Sequence, residues 1–452
     1  MPRIADYSIV IGKEAAFSVR NAAAFLQGQI KLICGKTPPI LYDTEPMREL
    51  EIVLGPTVRE CADGLCFERA YERRYEYEMR SVENRLYMTG LGAAPEEQPY
   101  TSAQKMWDDG QCGTLYAAYR FTEEILSHDF LNAAYLPYVE RPEAEMPLPM
   151  HCSYTTPVLS EQLPRPMDGT ALYAIPAASY LAFGMTCLVF KSRNGELVLL
   201  DGGHDEDAEH VIRCLEHISG GKKPVIAAWL ISHLHCDHYG MYARIYNDPA
   251  LRERITVREV YAHLLTPEEY HGLRDAIAED FAAREMLLGC HAIGADYHQV
   301  QVGDRITVGE LCFSVLRTPD PASVGPKQMN MNDTSVVYRL DCEGQRVLLP
   351  GDGEWIATRD LCALPDDELK CDAVQVSHHG VGNLSLELYK RIGARHYIWQ
   401  CANRFYYSDE GEGLNSKNLG VIRTRMYISE VGGAQTHYRD TSGLISLALP
   451  LA

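Results

Sequence analysis

The sequence predicts a small α+β domain followed by a larger one in which strands alternate with helices. Three observations predict it. At 452 residues the chain exceeds what one ordinary hydrophobic core accommodates. A proline-rich stretch interrupts it at 140–168. Beyond that stretch, short apolar runs recur between amphipathic segments, and one of them ends in three histidines and an aspartate within six residues.

In the first part, Tyr7–Ile11 alternates as a strand, and Ala15–Leu32 carries a helical pattern through Phe17, Ala22, Phe25, Leu26 and Ile30. Leu50–Leu54 is a strand stopped by Gly55-Pro56, Tyr75–Ser81 alternates, and Arg85–Gly90 is closed by its glycine. Gly113–Leu126 reads as an amphipathic helix. The expected boundaries are 1–145 for this domain, 146–169 for a linker built on Met146-Pro, Leu148-Pro and Leu163-Pro-Arg-Pro, and 170–452 for the second domain.

The second domain opens on Ala171–Phe190, uncharged for twenty residues. Pro176, Gly184 and two tyrosines lower its hydrophobicity, so two strands and a turn are expected rather than a membrane helix. Thr186–Lys191 and Glu196–Leu200 flank Asn194-Gly195, a hairpin signal. A helix is expected over Asp207–Ile218 and helical structure over 266–289, with strands at 311–317, 335–340, 346–350, 373–377 and 396–400.

The bulk numbers narrow the function. The net charge is −20, and residues 1–150 hold 15 basic against 23 acidic groups, so both halves are acidic. Such a field disfavours nucleic acid and supplies no basic stripe. The charged N-terminus lacks the apolar core of a secretory signal, and the 14 cysteines show no zinc-finger spacing, which implies reduced thiols and a cytoplasmic setting. The expected partners are a small-molecule substrate and a second copy of the chain, with no membrane.

The chemistry concentrates in Trp229-Leu-Ile-Ser-His-Leu-His-Cys-Asp-His238. On an extended segment alternate side chains share a side, so His233, His235 and Asp237 begin together, and the following turn can return His238 to them. Imidazoles converging with a carboxylate form a divalent-metal site. Three further segments stand with it: Leu199-Leu-Asp-Gly-Gly203, Val347–Gly353 with Asp352, and Val374–Gly380 with His378 and His379.

This set, in this order, resembles the metallo-β-lactamase superfamily, whose signature is His-x-His-x-Asp-His after a strand. The resemblance spans about 280 residues and implies an αββα sandwich preceded by an α+β accessory domain. It implies two divalent cations, Zn first and Mn second. His233 and His235 would hold one, Asp237 and His238 the other, with Asp352 bridging and His378 completing the second. His379 is the alternative to His378, or a catalytic proton-transfer group, and Asp237 also orients the nucleophile. The implied activity is hydrolysis of a small phosphodiester, ester, lactone or sugar-linked substrate by hydroxide held between the cations.

Many members carry another histidine where this chain reads Gln328-Met-Asn-Met-Asn-Asp-Thr-Ser335. That block, with Gly351-Asp352 and His378-His379-Gly380, resembles the branch of the DNA-uptake competence proteins, which makes a Zn- or Mn-dependent nuclease the first alternative function. Asn332 and Asp333 are candidates to complete the first metal, or turn-formers. Asp201 and His204 are candidates to support the ligands from behind. Asn403, Arg404, Tyr406 and Tyr407 stand where that branch has a substrate loop, but without its His-Pro. The closing 436–445 segment resembles the family's final hairpin.

The first domain resembles the accessory domain that precedes the barrel of glycoside hydrolases such as α-glucuronidases and β-hexosaminidases. The matching pieces are Glu51–Arg59, Arg85–Gly90 and Gly113–Phe121. This resemblance gives the second alternative function, a carbohydrate-binding or scaffold protein.

Overall fold

The computed structural model describes residues 2–70, 73, 76–92, 113–126, 140–154, 163–177, 184–274, 279–325, 327–382, 384–401, 416–440 and 444–451. The chain divides into two compact units, 1–156 with 407–415, and 157–406 with 416–452.

The first unit is built on β1 (Ser8–Ile11), β2 (Ile40–Tyr42), β3 (Glu51–Leu54), β4 (Tyr77–Val82), β5 (Arg85–Gly90) and β6 (His151–Tyr154), in the order β2-β1-β3-β5-β4-β6. Its helices are α1 (Phe17–Cys34) and α2 (Gly113–Glu124). Helix α1 ends at Gly35, whose left-handed conformation (φ 75°) lets its N–H reach the Lys31 carbonyl. The sheet is apolar on both sides. Val10, Val53 and Tyr87 pack with Phe67 and Leu91, while their strand neighbours Ile9, Ile52 and Met88 are equally buried. An edge-on contact of Phe25 with Tyr119 (4.8 Å between centroids) joins the two helices.

The described part of the proline-rich stretch contains a strand. His151–Tyr154 pairs antiparallel with β4 as an edge strand. Proline is tolerated beside such a strand because an edge leaves backbone groups without a ladder partner.

The second unit carries two seven-stranded sheets. The first begins with β7 (Ala171–Ala174), β8 (Cys187–Lys191), β9 (Leu197–Asp201), β10 (Val225–Leu230), β11 (Thr256–Ala262) and β12 (Asp296–Gln299). The second contains β13 (Arg305–Val308), β14 (Leu311–Arg317), β15 (Val337–Cys342), β16 (Gln345–Leu349), β17 (Ala373–Gln375), β18 (His396–Trp399) and β19 (Thr436–Arg439), in sequence order. The last strand, β20 (Ile445–Ala448), pairs with β7 in the first sheet. The segment expected to form a final hairpin therefore does not: β19 lies beside β18 and β20 beside β7, in different sheets. Alternation fits either arrangement, because it fixes which face a residue takes but not its partner strand.

One core joins the sheets. Leu188, Phe190, Leu200 and Leu230 from the first meet Phe313, Tyr338, Leu349 and Ile398 from the second. Full burial of such side chains contributes roughly 1.5–3 kcal/mol each. The other face of the first sheet, with Val189, Leu199 and Trp229, lies under α3 (Ala208–Ile218), α4 (Cys236–Asn247) and α5 (Glu279–Ile293). In the second sheet Leu348, Val374 and Tyr397 are fully buried yet lie outside the inter-sheet core. The crossovers between the parallel strands β16 to β19 contain α6 (Trp355–Cys362), α7 (Leu386–Ile392) and α8 (Ser416–Ser429). The layers are thus helix, sheet, sheet, helix. The run expected to be helical at 266–289 is broken into Pro267–Gly272, opened by a Thr266/Glu269 capping box, and α5. Among the described residues no helix is long and apolar enough to cross a membrane, and every described cysteine is a free thiol.

Candidate metal centre

Four strands deliver the site from the same ends. Strand β9 ends at Asp201 and runs parallel to β10, which leads into Ser232 and the histidine motif. In the other sheet β16 leads into Asp352 and runs parallel to β17, which leads into His378 and His379. The loops are tied by backbone bonds: Val336 N–H to Ser232 O (2.9 Å), His378 N–H to Gly351 O (3.2 Å) and Gly202 N–H to His238 O (2.7 Å).

Gly351 makes the approach of the sheets possible. Its φ is +58°, and a Cβ there would stand 2.9 Å from the Ser232 Cβ. Gly351→Ala is expected to lower stability by at least about 1 kcal/mol through the positive φ and the contact with Ser232 together. An unchanged denaturant midpoint for that variant would show that the loops tolerate separation.

Asp237, His238, Asp352 and His379 each offer one ligand atom, all within 4.8 Å of one another. Asp352 Oδ2 is 3.2 Å from His238 Nε2 and 3.6 Å from His379 Nε2, and Asp237 Oδ2 is 3.2 Å from His379 Nε2. His238 Nε2 and Asp352 Oδ1 are buried and make no hydrogen bond. Buried polar atoms are rarely left so, and two of them converging with a second imidazole and a second carboxylate fit a divalent cation. The mixed nitrogen and oxygen donors suit Zn and Mn.

Support comes from behind. Asp201 is fully buried; its Oδ1 accepts the Ser232 N–H (2.7 Å), and its Oδ2 meets Ser232 Oγ (2.7 Å) and His238 Nδ1 (2.8 Å). A carboxylate on Nδ1 aims the other ring nitrogen into the site. His379 is fixed likewise, with Nδ1 2.7 Å from the Gln400 carbonyl.

His233 and His235 form an adjoining pair, Nε2 to Nδ1 3.0 Å, and the His233 ring lies 4.2 Å from that of His238. His378 faces the other way. Its Nδ1 is 3.0 Å from Glu354 Oε1, and its Nε2 is 3.9 Å from Asp352 Oδ2. Both neighbouring histidines take positive φ, 48° and 53°, so the backbone bends sharply between β17 and α7 and sends the two rings apart.

Charge follows this geometry. Burial opposes ionisation of Asp352, yet the rings of His238, His379 and His378 hold its carboxyl well below the usual range, and His238 and His379 do the same for Asp237. Burial likewise opposes charge on His238, but Asp352, Asp201 and Asp237 raise it well above its ordinary value. Burial, with the charge of His238, keeps His233 and His235 neutral, the form that ligates metal.

Asn332 donates to Glu354 Oε1 (3.0 Å), and its buried Oδ1 has no hydrogen-bond partner. Asp333 turns elsewhere: its Oδ1 accepts the N–H groups of Glu354, Ile356 and Ala357 at the start of α6. It is thus a helix cap here. His204 has Nε2 3.2 Å from the Gly184 carbonyl and is raised to about 9 by its hydrogen bond to Cys236, against the effect of burial. Asn403, Arg404, Tyr406 and Tyr407 lie outside the described residues. Neither Glu354 nor Ser232 stood out in the sequence. Glu354 had one available signal, its position two residues after Asp352 in the same loop.

Neither a protein-family model nor a curated protein matches the sequence. Solved structures similar to this one include the metallo-β-lactamase fold protein YhfI from Bacillus subtilis, with 13% identity, covering 61% of this chain and 99% of that one, TM-score 0.37. CmlA, a diiron β-hydroxylase from Streptomyces venezuelae, gives 14% identity, 82% and 65% coverage and TM-score 0.37. Zn(2+)-bound PqqB from Methylobacterium extorquens gives 15% identity, 58% and 87% coverage and TM-score 0.35. With TM-scores below 0.5, these likenesses assign neither family nor activity to this chain.

Proposed function

We propose that the second unit is a binuclear metallohydrolase of the metallo-β-lactamase superfamily, acting on a small substrate in the cytoplasm. One observation carries the reading: Asp237, His238, Asp352 and His379 converge, with Asp352 Oδ1 buried without a hydrogen bond and His238 Nε2 buried with the Asp352 Oδ2 ion-pair contact (3.2 Å) in place of one. In this reading His379 takes the place that the resemblance gave to His378. His233 and His235 would hold a first cation together with Asp352, while Asn332, whose buried Oδ1 has no hydrogen-bond partner, lies against Glu354 and His378.

Divalent cations bound there would lower the pKa of a water toward about 7 and polarise the bond to be cut. The chain's own residues do the rest. Asp201 and the Gln400 carbonyl lock the orientation of His238 and His379. Asp237 is placed to accept a hydrogen bond from an attacking water, and Glu354 restrains His378 at the rim. The competence-like branch and the accessory, carbohydrate-related character of the first unit are finer parts of the same proposal.

The test is a panel of bis-(p-nitrophenyl) phosphate, p-nitrophenyl acetate, a homoserine lactone, a p-nitrophenyl glycoside and single-stranded DNA. Each is incubated with protein loaded with Zn or Mn, and His238→Ala is the control. Turnover of one small compound, lost in the variant, is expected. Turnover that survives His238→Ala and chelation sinks the mechanism, and degradation of DNA alone replaces it with the nuclease.

A further inference from the structure

Beside the metal centre lies a cavity of about 500 Å³, lined among others by Arg274, Gln328, Asn330, Glu354, Trp355 and Arg359. Its size is that of a small-molecule site. It shares Glu354 with the centre, because the carboxylate that restrains His378 also forms part of its wall.

The polar groups of this wall differ in how far they are satisfied. Glu354 accepts from Asn330 at one oxygen (3.0 Å) and from Asn332 at the other (3.0 Å), where His378 Nδ1 also lies at 3.0 Å. Asp333, also in the lining, uses Oδ1 on three backbone N–H groups. The carboxylates are thus engaged by the chain itself. The arginines retain donors. Arg359 is ion-paired with Asp360 through Nε (2.9 Å) and Nη2 (2.6 Å), Nη2 also reaching Ser323 Oγ, so among the described residues the donors it retains are those of Nη1. Arg274 is anchored through its backbone N–H to the Met329 carbonyl (2.8 Å), and its guanidinium has no ion pair among the described residues.

The wall therefore offers the Arg274 guanidinium, which has no ion pair among the described residues, and the Nη1 donors of Arg359, in a chain of net charge −20. Trp355 adds a flat apolar surface, 71% exposed. It opens α6, and Arg359 follows four residues later on the same helical face. Asp333 fixes the start of that helix, so ring and guanidinium are presented together.

We propose that this cavity is the substrate's anchoring subsite. Arg274 and Arg359 would hold an oxyanionic group, and Trp355 would lie against a planar part of the same molecule. The guanidinium fork of Arg274 matches the paired oxygens of phosphate and carboxylate, Arg359 Nη1 adds a further donor, and an exposed indole stacks on rings. The assignment rests on the metallohydrolase reading only for the chemistry after binding. It makes the substrate a small, ring-bearing phosphate or carboxylate.

The test uses the full chain after chelation, so that metal plays no part. The four tryptophans are replaced by 5-fluorotryptophan, and the Trp355 resonance is identified by its loss in Trp355→Phe. Phenyl phosphate, benzoate, inorganic phosphate and benzyl alcohol are titrated separately. Saturable shifts of the Trp355 signal by phenyl phosphate or benzoate are expected, and the tighter of the two names the anion. Inorganic phosphate is expected to bind more weakly than phenyl phosphate. Arg274→Ala and Arg359→Ala are expected to weaken binding by about tenfold or more, with the lysine variants in between, since lysine keeps the charge but loses the fork. Equal binding of benzyl alcohol, affinity unchanged in both alanine variants, or no saturable binding of either ring-bearing anion overturns the proposal. Each of those results leaves the metal-loaded assay of the hydrolase untouched, and loss of turnover there leaves this titration untouched.

Discussion

Chelation is expected to lower the melting temperature of the wild-type second unit by about 5–10 °C and to leave Asp352→Ala unmoved. The magnitude follows from mass action. A metal present at about a hundred times its dissociation constant adds about 2.7 kcal/mol, and in a unit of this size each kcal/mol is worth roughly 2–4 °C. Asp352 decides the outcome because it is the shared neighbour, 3.2, 3.6 and 3.9 Å from His238, His379 and His378. Alanine there removes a ligand and the main counter-charge of His238 at once. The variant should therefore also melt below the chelated wild type, because breaking a buried ion pair costs about 3–5 kcal/mol. Scanning calorimetry of both proteins, with and without EDTA, checks it. A wild-type melting temperature indifferent to EDTA means that the cluster holds no metal, whatever its geometry.

The segments that bring the candidate ligands to the strand ends are local. A strand followed by a turn places His233, His235, Asp237 and His238 within one short segment, and the second sheet repeats the pattern with Gly351-Asp352. The choice between His378 and His379 was not legible. Both follow the same strand, and which ring enters the cluster depends on two positive φ values set by loop packing. The sequence leaves Asp333 open between a metal role and a turn for a related reason. Its residue type suits a metal as well as a helix cap, and only the placement of α6 beside it in space decides for the cap. The strand order at 436–448 failed at the level of partners. The 436–445 segment resembled a final hairpin, yet Thr436–Arg439 and Ile445–Ala448 join different sheets, because a strand pattern carries no information on which sheet takes which. The cavity at Arg274 and Arg359 was invisible in the sequence, since its walls come from three separate segments, around 274, 323–333 and 354–359.

Asp201→Asn should separate the fold from the metal chemistry more cleanly than any change to a ligand. Asp201 is fully buried, and Ser232 donates its backbone N–H to Oδ1. That bond dictates how an asparagine would sit: its oxygen must remain toward the Ser232 N–H, so its NH₂ takes the place of Oδ2. There it would face Ser232 Oγ and His238 Nδ1, the partners of Oδ2. An amide N–H opposite Nδ1 favours the tautomer in which Nδ1 accepts, which moves the ring proton to Nε2. Nε2 is the atom aimed at the cluster, and a protonated nitrogen has no lone pair for a cation. The isosteric variant should keep its fold and lose metal affinity by roughly 10–100-fold, the usual effect of breaking such a support. Asp201→Ala should fail differently. It orphans the Ser232 N–H and the His238 ring together, at a cost of about 3–5 kcal/mol. Metal titration beside denaturant unfolding distinguishes them. Wild-type affinity in the asparagine variant would mean that His238 is held by its surroundings and not by the Asp201 carboxylate.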